Sequence, residues 1–256
     1  MDSHLKHLDG APMPFPDSAP RIPEGTRIYA IGDVHGRADL LERLLAEIDR
    51  DLYRHPCDDI VEIFVGDYVD RGPSSKKVLE ILRDDPHHDG ERVCLKGNHE
   101  DMVLDFLEDP ELLILWLQNG GQPTLASYGI TPPAEVGQAS MTQIRDELIE
   151  AMGGDVGFLA KLPLTHVEGD YLFVHAGIRP GVPLDAQDSE DLMWIREPFL
   201  SYMAPFPHCV VHGHTPVERP DVRPFRIDID TGAVSSGVLT CLVLENETRR
   251  FLATGG

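Results

Sequence analysis

The amino-acid sequence predicts an α/β fold built on two sheets. Short strands alternate with amphipathic helices between residues 27 and 96, and further apolar strand segments follow residue 170. A stretch of irregular helical character lies between these two regions. Strands that alternate with helices favour a parallel sheet with helices packed on its faces. The later strands are densely apolar, which favours a second sheet that is also buried.

The first sheet follows from successive strand–helix units. Apolar runs predict the strands, and apolar residues at helical spacing predict the helices between them. The predicted strands are 27–31, 59–65 and 92–96, and the predicted helices are 38–52 and 74–83. Because crossover connections within one sheet are right-handed, these units predict three parallel strands.

A helical segment separates the two sets of strands. Residues 100–162 contain the helix candidate "MTQIRDELIEAM" at 141–152, and they predict an insertion over one end of the sheet. The strands predicted after the insertion are 171–176, 208–213, 225–230 and 238–245, the last in a hairpin with "TRRFLA". We expect these strands to form the second sheet.

A single domain is expected to follow an extended leader. Residues 8–24 hold five prolines and little apolar periodicity, a composition that favours a flexible segment. We therefore predict a flexible, proline-rich leader at 1–24 and one domain over 25–256, with the helical insertion at about 100–162.

Charge and cysteine content limit the classes of function. The 256 residues carry a formal net charge of −22, which disfavours binding to nucleic acid or to an anionic membrane surface. An anionic substrate would need a local positive field, which a pair of divalent cations supplies. The longest strongly apolar run, "LLILWL", is too short to span a bilayer. The widely spaced cysteines suggest reduced thiols, so a cytoplasmic protein is expected.

Polar motifs follow the apolar runs at five strand ends. They read "GDVHG" (32–36), "GDYVDRG" (66–72), "GNHE" (97–100), "HAG" (175–177) and "HGHTP" (212–216). Ligands of open α/β folds bind at the carboxyl ends of the strands. We therefore expect the Asp, Asn and His side chains of these motifs to form one site.

The side chains in these motifs are oxygen and imidazole donors without a thiolate, a set that suits Zn, Mn or Fe dications. Asp33 and His35 are two residues apart in an extended segment, so they point to the same side and can bind one ion together. Asp67 has two carboxylate oxygens and can bridge two ions. Each histidine taken alone could be structural, and their joint placement favours a two-metal site.

The motifs resemble the signature of the phosphoprotein phosphatase family of two-metal phosphoesterases. "GDVHG", "GDYVDRG" and "GNHE" match GDxHG, GDxVDRG and GNHE in full and in order, within roughly residues 27–245. The compact bacterial and phage branch is the most similar, since "LMWIREP" and "DTGAV" also recur in it. The resemblance implies the calcineurin-like metallophosphoesterase fold, a four-layer α/β/β/α sandwich of two mixed sheets.

The resemblance also implies two divalent metal ions, with manganese expected and iron or zinc as alternatives. Six residues would be the metal ligands: Asp33, His35, Asp67, Asn98, His175 and His214. Asp33 and His35 would bind one ion, and Asp67 would bridge to the second.

Four further residues would act on the phosphate. The resemblance implies that His99 is the general acid and that Asp70 orients it. Arg71 and Arg196 would hold the phosphoryl oxygens, which the fork of an arginine can bind in pairs. An ion pair with Glu197 is the alternative interpretation of Arg196.

These roles predict a phosphomonoester hydrolase of the serine/threonine protein phosphatase type, in which metal-bound hydroxide attacks phosphorus directly. The expected partner is a phosphorylated protein or peptide, or a small phosphate ester. A second hypothesis is hydrolysis of diadenosine tetraphosphate, because a similar family shares GDxHG and GNH. Its symmetrical bacterial form typically reads GDLVARG and GNHD, so Asp70 and Glu100 favour the phosphatase. A third hypothesis, a noncatalytic phosphopeptide-binding scaffold, predicts a lost ligand or acid, and none is missing.

Overall fold

The computed structural model describes residues 19–84, 86, 90–133 and 137–255. The strands within them are β1 (Thr26–Ile31), β2 (Asp59–Phe64), β3 (Glu91–Cys94), β4 (Thr165–Glu168), β5 (Tyr171–Val174), β6 (Cys209–His212), β7 (Asp221–Val222), β8 (Arg226–Asp228), β9 (Thr240–Glu245) and β10 (Thr248–Ala253). The α-helices are α1 (Ala38–Arg54), α2 (Ser75–Arg83), α3 (Asn98–Glu108), α4 (Leu113–Gln118), α5 (Gln122–Ser127), α6 (Gln138–Met152), α7 (Gly154–Leu159), α8 (Ser189–Trp194) and α9 (Ala233–Ser236).

The first sheet has the strand order β10-β9-β1-β2-β3. Strands β1, β2 and β3 are parallel, as the strand–helix units predict. Strand β9 pairs antiparallel with β1 and with β10. The placement of 238–245 in the second sheet was therefore wrong. An apolar run shows that a strand is buried on both faces, and it carries no information about which sheet the strand joins.

The second sheet has the order β4-β5-β6-β8-β7. Strands β5, β6 and β8 are parallel to one another and were predicted from their apolar runs. The two edge strands were missed. Strand β4 is mostly half-buried and contains Thr, His and Glu, and β7 has only two residues. Neither gives the apolar pattern by which a strand is recognised in a sequence.

Three apolar clusters define four layers. Side chains of both sheets, such as Ile63 and Val211, meet in the cluster between the sheets. Tyr29 and Leu44 belong to the cluster between the first sheet and its helices. On the far side of the second sheet, a third cluster includes Phe199 and residues of α8. The predicted α/β/β/α sandwich of two mixed sheets is confirmed.

The predicted insertion is helical, and it covers the first sheet. Helices α3 to α7 lie between residues 98 and 159. Phe106, Trp116 and Leu148 from these helices are buried in the same cluster as Tyr29 of β1. The insertion therefore forms part of the helical layer, close to the loops that follow β2 and β3.

The chain joins the core earlier than the predicted boundary of the leader. Residues 1–18 lie outside the described residues. Ile22 is 1% exposed and belongs to the cluster between the sheets, and its N–H donates to the Asn246 carbonyl at 3.0 Å. An apolar side chain that fills the inter-sheet core is fixed by the fold, so the chain is attached to the domain at Ile22.

The four cysteines carry free thiols, and Cys94, Cys209 and Cys241 are buried. Among the described residues, no helix is both long and apolar enough to cross a membrane.

Candidate active site

The residues predicted to form the site lie together at the carboxyl ends of β1, β2, β3, β5 and β6. Parallel strands place their carboxyl ends on one edge, and the two edges meet where His175, after β5, contacts the Val65 carbonyl, after β2. Eight of the ten predicted side chains are buried there: Asp33, His35, Asp67, Asp70, Asn98, His99, His175 and His214.

Asp67 is shared by two groups of side chains that can each hold a metal ion. One group is His35, Asp67 and His99, and the other is Asp67, His175 and His214, with the ligand atoms of each group within 4.8 Å of one another. The Oδ2 atom of Asp67 lies 3.3 Å from His35 Nε2, and its Oδ1 atom lies 3.4 Å from His175 Nε2. The two oxygens of one carboxylate thus face two different groups.

Backbone carbonyls fix the orientation of two imidazoles. His35 Nδ1 donates to the Val69 carbonyl at 2.8 Å, and His175 Nδ1 donates to the Val65 carbonyl at 3.0 Å. A proton held on Nδ1 leaves the lone pair of a neutral imidazole on Nε2, the arrangement seen where a histidine binds a metal. Both Nε2 atoms point toward Asp67.

Asn98 joins the second group through its side-chain oxygen. This Oδ1 atom lies 2.9 Å from His175 Nε2 and 2.9 Å from His214 Nδ1. The other ring nitrogen of His214, Nε2, is buried without a hydrogen-bond partner among the described residues. An amide oxygen and imidazole nitrogens converge here, and such donors suit a divalent transition-metal ion.

Asp33 supplies a buried carboxylate oxygen that receives no hydrogen bond. Its Oδ2 accepts the N–H of His214 at 3.0 Å, whereas its Oδ1 is buried without a partner among the described residues. Burial raises the pKa of Asp33 well above its usual range, and the nearby carboxylates of Asp230 and Asp67 raise it further. Three carboxylates so close together are stable as anions only with cations among them. These residues therefore fit a pair of divalent cations.

The surroundings of Asp67 and His214 lower the pKa values of both side chains. Burial acts to raise the pKa of Asp67, but the neighbouring His175, His99 and His35 outweigh it and hold that pKa well below its usual range. Burial, assisted by His175, lowers the pKa of His214 to about 3. At neutral pH this imidazole is therefore uncharged, which is the form that binds a metal.

Strained backbone is concentrated in the motif loops. Among the described non-glycine residues, six have positive φ, and five of them are at the site: His35, Asp67, Asp70, Arg71 and His214. Each such conformation costs about 1–3 kcal/mol and persists only where the surroundings enforce it. A Cβ at Gly97 would lie 2.3 Å from Asp67 Oδ1, so glycine is needed for this carboxylate to fit.

His99 and Asp70 form the pair that was predicted for the acid. His99 Nδ1 donates to Asp70 Oδ2 at 2.8 Å, and both side chains are at most 1% exposed. The opposite ring nitrogen, Nε2, lies 4.0 Å from Asp67 Oδ2. A proton on this Nε2 would therefore be presented to the same space as the candidate metal ligands.

The two predicted arginines are placed differently. Arg71 Nη1 lies 2.8 Å from His35 Nε2, so its guanidinium is inside the site. Arg196 is exposed and follows α8. Its charge helps to lower the pKa of His214, after the larger effects of burial and His175. Arg71 is thus fixed beside a candidate metal ligand, whereas Arg196 acts on the site through its charge.

Two acidic residues at the site were missed from the sequence. The Glu100 carboxylate accepts the N–H groups of Asp67, Tyr68 and Gly97 at 2.7–2.9 Å, and so fixes the loop after β2 to the start of α3. Its place three residues after the helix cap is a recognised signal for such a contact. Asp230 is the last residue of the predicted strand 225–230 and the first of "DTGAV", whereas the observed strand β8 ends at Asp228, so Asp230 lies beyond a strand end like the other site residues.

A family model of calcineurin-like phosphoesterases matches residues 26–232, and the chain belongs to this family. It is therefore a metal-dependent phosphoesterase. Among curated proteins, the chain is 29% identical over 237 residues to bis(5'-nucleosyl)-tetraphosphatase PrpE (asymmetrical) of Halalkalibacterium halodurans, with 83% of this chain and 87% of that protein covered.

Solved structures share the same fold. One is a protein proposed to be a diadenosine tetraphosphatase, with a TM-score of 0.59, 20% identity and coverage of 92% of this chain and 98% of that one. Another is the cold-active protein-tyrosine phosphatase of a psychrophilic Shewanella species, with a TM-score of 0.54, 21% identity and coverage of 91% and 83%. At these identities the similarity concerns the fold.

Proposed function

We propose that this protein hydrolyses dinucleoside tetraphosphates asymmetrically, to a nucleoside triphosphate and a nucleoside monophosphate. The observation that carries the proposal is the similarity to asymmetrical bis(5'-nucleosyl)-tetraphosphatases over 83% of this chain and 87% of the relative. Asp70 and Glu100 distinguish this chain from the symmetrical enzymes, whose motifs typically read GDLVARG and GNHD. These two residues are not evidence against an asymmetrical tetraphosphatase.

The metal ligands in this proposal would be the six residues predicted from the sequence, of which Asp67 belongs to both groups of side chains. Bound divalent cations would supply a water nucleophile at neutral pH and neutralise charge on the phosphoryl oxygens. Manganese is the cation that we propose. The buried Asp33, His35 and Asp67 carry the donor atoms on one side, and Asn98 and two imidazoles carry them on the other. The positive charge of the bound cations would offset the protein's net charge of −22 at the place where a polyanionic substrate binds.

His99 is assigned as the general acid and Arg71 as a phosphate ligand. Asp70 accepts the Nδ1–H of His99 at 2.8 Å and fixes the ring, so that Nε2 faces the departing oxygen. Arg71 presents its guanidinium beside His35, where its paired N–H groups can hold two phosphoryl oxygens. Arg196 is assigned to the exposed side of the phosphate chain.

Trp194 offers a surface for a nucleobase next to this site. Its indole is 38% exposed, and its ring centroid lies 6.1 Å from that of His214 at an interplanar angle of 79°. An exposed indole is a stacking platform for any base, with about 1–3 kcal/mol available per base. A substrate that carries a nucleobase next to its phosphates could stack on this surface, so Trp194 is consistent with the dinucleotide proposal.

The deciding experiment compares two substrates under identical metal and salt. Diadenosine tetraphosphate and a phosphothreonine peptide are each incubated with the manganese-loaded protein, and the nucleotide products are separated by anion exchange. We expect a higher kcat/KM for the dinucleotide, with ATP and AMP as products and no reaction with Asp67→Asn. A hundredfold preference for the peptide would return the assignment to the phosphatase, and two ADP per substrate would make the cleavage symmetrical.

Protein phosphatase activity is the second candidate, and the His99–Asp70 pair is the observation that favours it. A serine or threonine alkoxide is a poor leaving group and needs a proton from a positioned general acid, whereas a polyphosphate leaves as a stabilised anion. The buried contact of 2.8 Å between the two side chains is suited to that demand. The same substrate comparison decides between the two candidates.

A further inference from the structure

The helical insertion contains the sequence "WLQNGGQPT" (116–124), to which the motif analysis assigns no function. We propose that this segment, from Trp116 to Thr124, is a positioning device for the acid pair and for Arg71. It acts through Asp70 and Arg71 and does not itself contact the substrate. The proposal rests on the assignment of His99 as the acid, and it does not depend on which phosphate ester is the natural substrate.

The segment supplies one donor to each oxygen of the Asp70 carboxylate. Asp70 Oδ2 accepts the indole N–H of Trp116 at 2.9 Å in addition to the His99 N–H at 2.8 Å. Asp70 Oδ1 accepts the hydroxyl of Thr124 at 2.7 Å. A carboxylate with donors fixed on both oxygens cannot rotate, so the His99 ring that it holds has one orientation.

The segment also holds the strained backbone that carries Asp70 and Arg71. These two residues have φ values of 69° and 66°. The Asp70 N–H donates to the hydroxyl of Thr124 at 2.9 Å and to that of Ser75 at 3.1 Å. The Arg71 N–H donates to the Gly120 carbonyl at 2.9 Å. Strain of this kind persists only where such contacts enforce it.

Glycine is required where the segment meets Arg71 and Trp116. A Cβ at Gly120, whose φ is 105°, would lie 2.8 Å from the Cγ atom of Arg71. A Cβ at Gly121 would lie 2.4 Å from the indole of Trp116. The two glycines of "NGG" therefore let the backbone approach one catalytic side chain and one positioning side chain.

Trp116 also packs against the helix that carries the acid His99. Trp116 is 1% exposed and stacks on Phe106, with ring centroids 5.1 Å apart and an interplanar angle of 24°. Phe106 lies on α3, the helix that also begins with Asn98 and His99. One helix thus carries both the acid and the ring on which the Asp70 donor rests, so the orientation of His99 depends on Trp116.

The test separates positioning of an acid from general support of the fold. Trp116→Phe keeps the aromatic stack and removes the N–H, and Thr124→Val removes the hydroxyl while Thr124→Ser keeps it. Each variant is assayed with manganese on 4-nitrophenyl phosphate, whose leaving group needs no proton, and on phenyl phosphate, whose leaving group does. Thr142→Val in α6 is the matched control, because Thr142 is exposed and its hydroxyl donates to the Gln138 carbonyl of its own helix at 3.3 Å.

We expect Trp116→Phe and Thr124→Val to lower kcat for phenyl phosphate about 10- to 100-fold, a part of the 10²–10⁴-fold effect of a general acid. The kcat for 4-nitrophenyl phosphate should fall less than about threefold, with KM and bound manganese unchanged. Thr124→Ser should restore most of the loss, and adding Asp70→Asn to Trp116→Phe should cost no more than Asp70→Asn alone.

Equal losses on both aryl phosphates, or loss of bound manganese, would overturn the proposal in favour of a structural role. A His99→Asn variant without leaving-group dependence would overturn it as well, because there would be no acid to position. If the selective loss is seen while diadenosine tetraphosphate is not hydrolysed, this inference stands and the proposed substrate is wrong. Should Trp116→Phe fail to fold, the Thr124→Val and Thr124→Ser pair gives the same decision.

Discussion

The Oδ2 atom of Asp67 lies 3.3 Å from the Nε2 atom of His35, and the other oxygen of the same carboxylate faces His175. Asp67→Asn keeps the shape of the side chain but removes the charge shared by both candidate metal groups. We expect at least about a 100-fold loss of manganese affinity, since even residues that only support a metal ligand are worth 10- to 100-fold. Elemental analysis and calorimetric titration with manganese measure this loss.

The matched control is Asp146→Asn, which removes one carboxylate from the exposed face of α6. Its manganese stoichiometry should equal that of the wild type. If Asp67→Asn binds two manganese ions with unchanged affinity, the bridging assignment is wrong.

His99 and Asp70 should behave as one unit. We expect His99→Asn to lower kcat about 10²–10⁴-fold on substrates with poor leaving groups. Asp70→Asn should lower it in the same direction, and the double variant should be little worse than His99→Asn alone, because coupled residues are not additive. Steady-state kinetics on phenyl phosphate, with metal content measured in parallel, check this expectation. Multiplicative losses, or metal loss from Asp70→Asn, would contradict it.

Trp194→Ala should weaken binding of the dinucleotide selectively. Stacking worth about 1–3 kcal/mol per base corresponds to an increase of roughly 5- to 150-fold in KM for diadenosine tetraphosphate. KM for phenyl phosphate should change less than about twofold, and Trp194→Phe should recover most of the affinity because it keeps a stacking ring. Initial-rate measurements on both substrates test this. A parallel rise in both KM values would indicate damage to His214 and exclude a base platform.

Asp51 should make stability depend on acid pH. It accepts hydrogen bonds from Tyr29 at 2.6 Å and from Arg250, and so ties α1 to β1 and β10. Burial acts to raise its pKa, but Arg250, Tyr29 and Arg27 outweigh burial and lower it. Because the pKa is lower in the folded state, the stabilisation is complete above the unfolded value of about 4 and is lost as the pH falls through the folded value.

We therefore expect Asp51→Asn to cost about 1–2 kcal/mol of unfolding free energy at pH 7, reduced by solvent screening because Arg250 is partly exposed. The gap to the wild type should shrink as the pH is lowered below about 4. Urea unfolding at pH 7 and at a pH below about 4 measures this difference in unfolding free energy. Asp58→Asn, at an exposed position, is the control. A gap that is independent of pH would show that the charge of Asp51 is not what stabilises the fold.

The parallel strands of the first sheet and the position of the candidate site could be predicted from the sequence by itself. Strands β1 to β3 were predicted because local apolar runs alternate with helical periodicity, and a parallel arrangement follows from that order. Asp33, Asp67 and Asn98 were predicted to meet because each directly follows a strand. Each strand and the polar residue that follows it lie within a few residues of chain, so each signal can be recognised without knowing the fold.

The tertiary structure alone decided which sheet β9 joins and what the helical insertion contacts. Trp116 and Thr124 reach Asp70 across 46 and 54 residues of chain, and Asp230 comes beside Asp33 from the far end of the domain. An apolar periodicity in the sequence predicts that a residue is buried, and a polar residue type shows that the side chain can donate or accept a hydrogen bond. The partner is set by how the layers pack, because hydrogen bonds and apolar contacts depend on distances that only the folded chain defines.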